Sequence, residues 1–232
     1  MLRKINHQNM GTSDLGWLKS LFHFSFAEYY NPANMNFGVL RVINDDLVKP
    51  GTGFDTHPHR DMEIISYVVK GELTHGDSMG NKQTLTRGQV QYMSAGSGIL
   101  HSEHNRGHET SRFLQIWIKP DQRNLTPQYG DCRFSWEDRV GKWLNIVSGQ
   151  TGTAPVKINQ DANLFVTALQ AGEKISLTQE KDRQTYFVLI EGEAKFGEHS
   201  LSARDALEAI GETVEIEALT DAHVIAIEMK RE

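Results

Sequence analysis

Thr56-His57-Pro58-His59 and, further along the chain, Leu100-His101-Ser102-Glu103 are the stretches on which the reading of this sequence turns. On an extended strand, residues two apart project from the same face. His57 and His59 therefore point together, and so do His101 and Glu103. If the two strands face one another, three imidazoles and one carboxylate converge. That nitrogen and oxygen set, free of thiolate, suits a divalent transition metal of the iron, nickel or copper kind. A single His-x-His is weak evidence, because surface histidines pair by chance. Two dyads of equal spacing, each among strand-like residues, are a much stronger signal.

The surroundings of the dyads alternate or run apolar in short stretches punctuated by turns. Ile64 to Val69 is a β-branched run expected to form a strand buried on both faces. Lys70-Gly71-Glu72 turns it, and Asp77-Ser78-Met79-Gly80-Asn81 has hairpin-loop chemistry. Val90 to Met93 and Phe113 to Ile118 read as further strands. Upstream, Phe22, Phe24 and Phe26 alternate at period two and predict a strand, with His23 on its other face as a surface or rim histidine. Phe22, Phe24, Phe26 and Trp117 are assigned to the core. His75 could line the pocket, the favoured reading being a hydrogen-bonded turn histidine, and His104 has the wrong parity to join His101 and Glu103. Lys119 to Asn145 loosens, with Pro120, Pro127 and Gly130, and is read as a connection between domains.

The chain has 232 residues, 38% of them hydrophobic, which is enough for a real core and for two small domains. Twenty glycines and few helical patterns indicate an all-β protein. The net charge of −6 and the absence of a basic run leave no footprint for direct nucleic-acid binding. The single cysteine, Cys132, permits no internal disulfide and fits a reducing compartment. No apolar run approaches a membrane span of about 20 residues. Met1 to His7 lacks the apolar stretch of a signal peptide, so the expected location is cytoplasmic.

The second half echoes the first. Tyr67-Val68-Val69-Lys70-Gly71-Glu72 resembles Val188-Leu189-Ile190-Glu191-Gly192-Glu193, and Arg87-Gly88-Gln89-Val90 resembles Arg204-Asp205-Ala206-Leu207. This match sets His57 and His59 opposite Thr178 and Glu180, and His101 and Glu103 opposite Ala218 and Thr220. Two similar β domains are expected, 1–130 with metal and 131–232 without.

Gly51-x5-His57-x-His59-x3-Glu63 with Gly71, followed by Gly88, Gly96, His101 and Asn105, resembles the two cupin motifs. Spacing departs from the general pattern between Glu63 and Gly71 and between Gly96 and His101, as it does in the pirin family. Pirins are also resembled by Phe24-Ser25-Phe26-Ala27-x2-Tyr30-x-Pro32, Arg41-Val42-Ile43-Asn44-Asp45-Asp46, Asp77-Ser78-x-Gly80-Asn81 and Met93-Ser94-Ala95-Gly96-x-Gly98-Ile99. The resemblance is dense from Trp17 to Tyr129 and architectural beyond. It implies a bicupin of two tandem antiparallel β-barrels, able to exist as a monomer. It also implies one divalent metal held by His57, His59, His101 and Glu103, with Fe(II) first and Mn, Ni, Co, Cu or Zn compatible. The general cupin pattern would take Glu63 in place of Glu103. The pirin spacing favours Glu103 and leaves Glu63 to orient the ligands or support the fold.

What the resemblance implies for activity is quercetin 2,3-dioxygenase chemistry. A flavonol would bind the metal through its 3-hydroxyl, Glu103 would act as the catalytic base, and O2 would open the heterocyclic ring with release of carbon monoxide. A second implication, of another class, is a non-catalytic iron-binding redox sensor or transcription-factor-binding protein. Zinc with four protein ligands would instead make the site structural.

Overall fold

The structure, a computed structural model, describes residues 1–231. In chain order its strands are β1 (Leu2–Ile5), β2 (Gly11–Asp14), β3 (Leu18–Phe22), β4 (Leu40–Val48), β5 (Gly53–His59), β6 (Glu63–Lys70), β7 (Glu72–Asp77), β8 (Lys82–Thr86), β9 (Val90–Ser94), β10 (Ile99–His104), β11 (Ser111–Ile118) and β12 (Gln128–Cys132). They continue as β13 (Leu144–Gly149), β14 (Val156–Ile158), β15 (Ala162–Leu169), β16 (Lys174–Leu177), β17 (Arg183–Glu191), β18 (Glu193–Phe196), β19 (His199–Ser202), β20 (Ala206–Ile210), β21 (Val214–Ala218) and β22 (Ala222–Lys230). Two single-turn 3-10 helices, His7–Asn9 and Trp136–Arg139, are the only helical segments among the described residues, and none is long and apolar enough to cross a membrane.

The chain forms two compact units. The first comprises Gly11–Phe134 with Ile158–Gln160. Its larger sheet runs β12-β9-β6-β11-β4-β3-β2 and its smaller one β5-β10-β7-β8. The second unit comprises Met1–Met10, Ser135–Lys157 and the chain from Asp161 on, with sheets β1-β20-β17-β22-β15-β13-β14 and β16-β21-β18-β19. The first ten residues therefore lie apart from the N-terminal division expected from the sequence. β1 pairs with β20, Leu2 opposite Ala209 and Ile5 opposite Ala206.

The all-β, two-cupin architecture agrees with the sequence, each cupin barrel taking the form of a β-sandwich. Each unit is a sandwich of two separate hydrogen-bonded sheets. In the first unit β5 forms an edge, and Pro58 within it has no N–H to offer a further strand. Leu18, Val48, Val68 and Phe113 from the larger sheet pack with Leu73 and Leu85 from the smaller. In the second unit Phe187, Leu189, Leu207 and Val224 meet Phe196, Leu201, Val214 and Ile216. β6 is buried from Glu63 through Val69, as the β-branched run predicts.

Three local expectations are corrected. The aromatic strand stops at Phe22, because the Ser25 hydroxyl accepts from the Asn31 N–H and donates to the loop carbonyls, drawing the backbone out of a ladder. His23 is fully buried rather than at the rim, its N–H donating to the Ile43 carbonyl. The supposed connection contains β12, paired along its length with β9. Gly130 does not break that strand. A Cβ there would sit 2.6 Å from the Tyr92 ring, so glycine permits a close approach.

Candidate metal centre

The two dyads face each other across adjacent strands. β10 pairs with β5 so that Ile99 opposes His59 and His101 opposes His57. The register then slips, and Glu103 opposes Phe54. β5 thus carries an extra residue, a β-bulge of the kind that re-aims side chains beside functional sites. The three imidazole centroids form a near-regular triangle: 4.8 Å for His57–His59, 4.5 Å for His57–His101 and 4.8 Å for His59–His101. One nitrogen from each ring lies within 4.8 Å of the others.

His57 Nδ1 is 2.7 Å from the Asp55 carbonyl oxygen. A carbonyl only accepts, so Nδ1 carries an N–H, and Nε2 is the nitrogen turned towards the other rings. That Nε2 lies 3.0 Å from His101 Nε2. Two nitrogens on adjacent octahedral positions, each about 2.1 Å from an ion, would be about 3.0 Å apart. Burial, then the neighbouring rings His101 and His57, pushes the His59 pKa down to about 4. Burial, then His57 and His75, pushes His101 down to about 3. Neutral imidazoles converging on one point fit a divalent cation, which needs them deprotonated.

Glu103 is buried and fixed by three donors. Ser66 Oγ and Gln91 Nε2 reach Oε1 at 2.8 and 2.9 Å, and Gln115 Nε2 reaches Oε2 at 2.5 Å. This is the environment an acceptor-only carboxylate requires. The donors form one inward-facing row across the larger sheet. Gln91 on β9 opposes Ser66 on β6, Ser66 opposes Gln115 on β11, and Gln115 opposes Asn44 on β4.

The four sequence-predicted ligands do not form a single tight set. His57, His59 and His101 make one cluster, and His75, His101 and Glu103 make a second that shares His101. His75, which the sequence allows at the pocket but favours as a hydrogen-bonded turn histidine, is both hydrogen-bonded and part of this second cluster. It is buried on β7 opposite Glu103, its Nε2 3.1 Å from Asp77 Oδ2, and its ring stacks on Tyr129 of β12 at 4.5 Å. Glu63 stands elsewhere: Ser94 Oγ donates to it at 2.7 Å and the Asn159 N–H at 3.0 Å. It therefore holds the loop at Asn159 to β6 and β9. Burial raises its pKa against the pull of those donors.

A cavity of about 310 Å³ opens on His57, His59 and Glu103. Phe22, Phe26, Phe54 and Trp117 line it, with Ser20, Asn44, Asp46 and Gln115. The sequence assigned Phe22, Phe26 and Trp117 to the core, yet they are cavity wall. Only Phe24 of that set is absent from the lining. Trp117 meets His59 edge-on at 4.9 Å and Phe26 at 5.4 Å.

The second unit shows what the same strands look like without the dyads. Its β16 pairs with β21 in continuous register, without the bulge. Val90 opposes Tyr67 in the first unit and Ala206 opposes Val188 in the second, so Gly88 corresponds to Arg204, and both have φ +78°. Carrying the register through β21 sets Leu177, Phe196, Val214 and Ile216 opposite His57, His75, His101 and Glu103. These replace Thr178, Ala218 and Thr220 of the sequence match, which carried one offset past the shorter connection between β20 and β21. Phe196, Val214 and Ile216 belong to the apolar core.

Two cupin sandwiches in one chain, the first holding a histidine and glutamate cluster suited to a divalent metal, define a bicupin. The Pirin family model matches residues 4–118, and a model described as the quercetinase C-terminal cupin domain matches 145–229. A "Pirin-like protein" of Caulobacter vibrioides is 44% identical over 98% of this chain and 99% of its own length. A "Quercetin 2,3-dioxygenase" of Escherichia coli K12 is 40% identical over 98% of this chain and 97% of its own. The crystal structure of bacterial pirin YhhW from Escherichia coli in complex with nickel(II) superposes with a TM-score of 0.94, 36% identity and full coverage of both chains. The chain belongs to the pirin family.

Proposed function

We propose that this chain is a metal-dependent dioxygenase that opens the heterocyclic ring of flavonols such as quercetin with O2. The observation that carries the reading is the three-imidazole cluster opening, beside Glu103, into an aromatic-walled cavity. Its size falls at the lower end of small-molecule sites. The name of the E. coli relative supports the substrate class, and the nickel(II) complex of the E. coli pirin supports a divalent ion. His57, His59, His101 and Glu103 hold the metal in this proposal, Fe(II) being the expected ion. A bound open-shell ion supplies Lewis acidity and a route for electrons between substrate and O2. Glu103 takes the proton of the flavonol 3-hydroxyl, and Gln115, Gln91 and Ser66 keep its oxygens in place. Phe22, Phe26, Phe54 and Trp117 hold the planar ring and exclude water. Glu63 supports the strands behind the site.

The test is metal content of protein purified without added metal, followed by oxygen uptake and carbon monoxide release with quercetin. Iron or another open-shell ion with uptake is expected. Full zinc occupancy with no uptake would overturn the proposal.

A further inference from the structure

The stretch Arg41-Val42-Ile43-Asn44-Asp45-Asp46 has so far no part in the chemistry. Its residues alternate along β4. Asp45 turns to the face away from the cavity, where Arg112 grips it through Nε at 2.9 Å and Nη2 at 2.7 Å. Asn44 and Asp46 turn the other way and line the cavity. Asp46 opposes Ser20 on β3 and accepts from its hydroxyl at 2.5 Å. Asn44 sits between Gln115 on β11 and Phe22 on β3.

These groups are deeply placed. Asn44 is 4% exposed and Asp46 3%, yet Asn44 Oδ1 is buried without a hydrogen-bond donor. A buried acceptor left unmet is costly, and a strand in the middle of a sheet cannot swing it into water. Gln91, Ser66 and Gln115 each donate to Glu103, and Asn44 Oδ1 at the end of their row receives no hydrogen bond from them. The same cavity is thus lined by His57, His59 and Glu103, by the acceptors Asn44 and Asp46, and by aromatic side chains.

We infer that Asn44 and Asp46 form an acceptor subsite that receives hydrogen bonds from ring hydroxyls of the aromatic substrate other than the hydroxyl that reaches the metal. The inference rests on the flavonol reading of the cavity and narrows it to polyhydroxylated members. A site built to accept from a hydroxyl rejects the analogue lacking it, because its own polar atom is then stranded. A purely apolar pocket discriminates weakly.

The experiment measures binding without turnover. Full-length protein loaded with nickel(II) is titrated under nitrogen, by quenching of tryptophan fluorescence, with quercetin and with 3-hydroxyflavone, which keeps only the metal-directed hydroxyl. Wild type is expected to bind quercetin at least about tenfold more tightly. Asn44→Leu and Asp46→Asn should each cut that ratio about tenfold, leaving the 3-hydroxyflavone affinity within about twofold. Asp46→Asn keeps the shape of its residue, so it carries the test if Asn44→Leu fails to fold. The inference is overturned if wild type shows no preference or binds neither compound, if the ratio survives in the folded variants, or if both compounds weaken alike. Preferential binding that depends on Asn44 and Asp46, with no oxygen uptake in air, would remove the dioxygenase and keep the subsite. Oxygen uptake with equal kcat/KM for both flavonols would do the reverse.

Discussion

Glu103 meets Ser66, Gln91 and Gln115, all donating. Replacing it by Gln sets an amide N–H2 among donors and removes the proposed proton acceptor. Glu103→Gln is expected to stay folded and to lower kcat at least about 100-fold, read by oxygen uptake normalised to metal content. Unchanged turnover at full metal occupancy would take Glu103 out of the mechanism. The imidazoles predict a pH effect whose sign is fixed. His59 and His101 have pKa values of about 4 and about 3 in the folded, metal-free protein, against about 6.5 in an unfolded chain. Between these values the unfolded chain binds more protons, so stability is lost as pH falls from about 6.5 towards 4. Thermal unfolding with a chelator across this range should show a falling Tm, with a flatter profile in His101→Gln. Identical profiles would show that the cluster contributes nothing.

At the level of the element, the bulge in β5 and the loop feeding β10 decide where the dyads point. Gly96 in that loop has φ +45°, and a Cβ there would lie 2.0 Å from the Leu125 carbonyl oxygen. Gly80, in the β7–β8 hairpin, has φ +92° but open space around it. Gly96→Ala should therefore destabilise by about 3 kcal/mol, from strain plus backbone clash, and Gly80→Ala by about 1 kcal/mol, from strain alone. Denaturant unfolding of the two variants compares them directly, and equal losses would contradict the local geometry. The dyads themselves were legible because period two is a property of a single strand. Tyr129 was not, because it reaches the site only through pairing of β12 with β9. That Phe22, Phe26 and Trp117 line a cavity is not legible, because an aromatic against a cavity and an aromatic in a core have the same composition and spacing.

Across the whole molecule, the two units share the order of their central strands, β9-β6-β11-β4 and β20-β17-β22-β15, but differ in their interiors. The first carries three imidazoles and a carboxylate. The second has Leu177, Phe196, Val214 and Ile216 at the corresponding places, three of them in its apolar core. One divalent ion per chain is the expected stoichiometry, checked by elemental analysis of wild type and of His101→Ala, which should lose it. Two ions per chain would contradict the assignment. Ligand linkage predicts that metal at 100 times its Kd stabilises the folded chain by about 2.7 kcal/mol, seen as a metal-dependent rise in Tm.

The sequence alone determined the all-β class, the doubling of the domain and the candidate ligands, because turn chemistry, strand alternation and the His-x-His and His-x-Glu spacing are local. It could not determine that the units are sandwiches, that the first ten residues join the second unit, or that His75 stands beside Glu103. Those depend on which strands pair, and pairing joins residues that are far apart in the chain. Nor could it assign Asn44 and Asp46 to a cavity. Alternation says that they share a face, while only the packing of one sheet on another decides whether that face meets core or an opening.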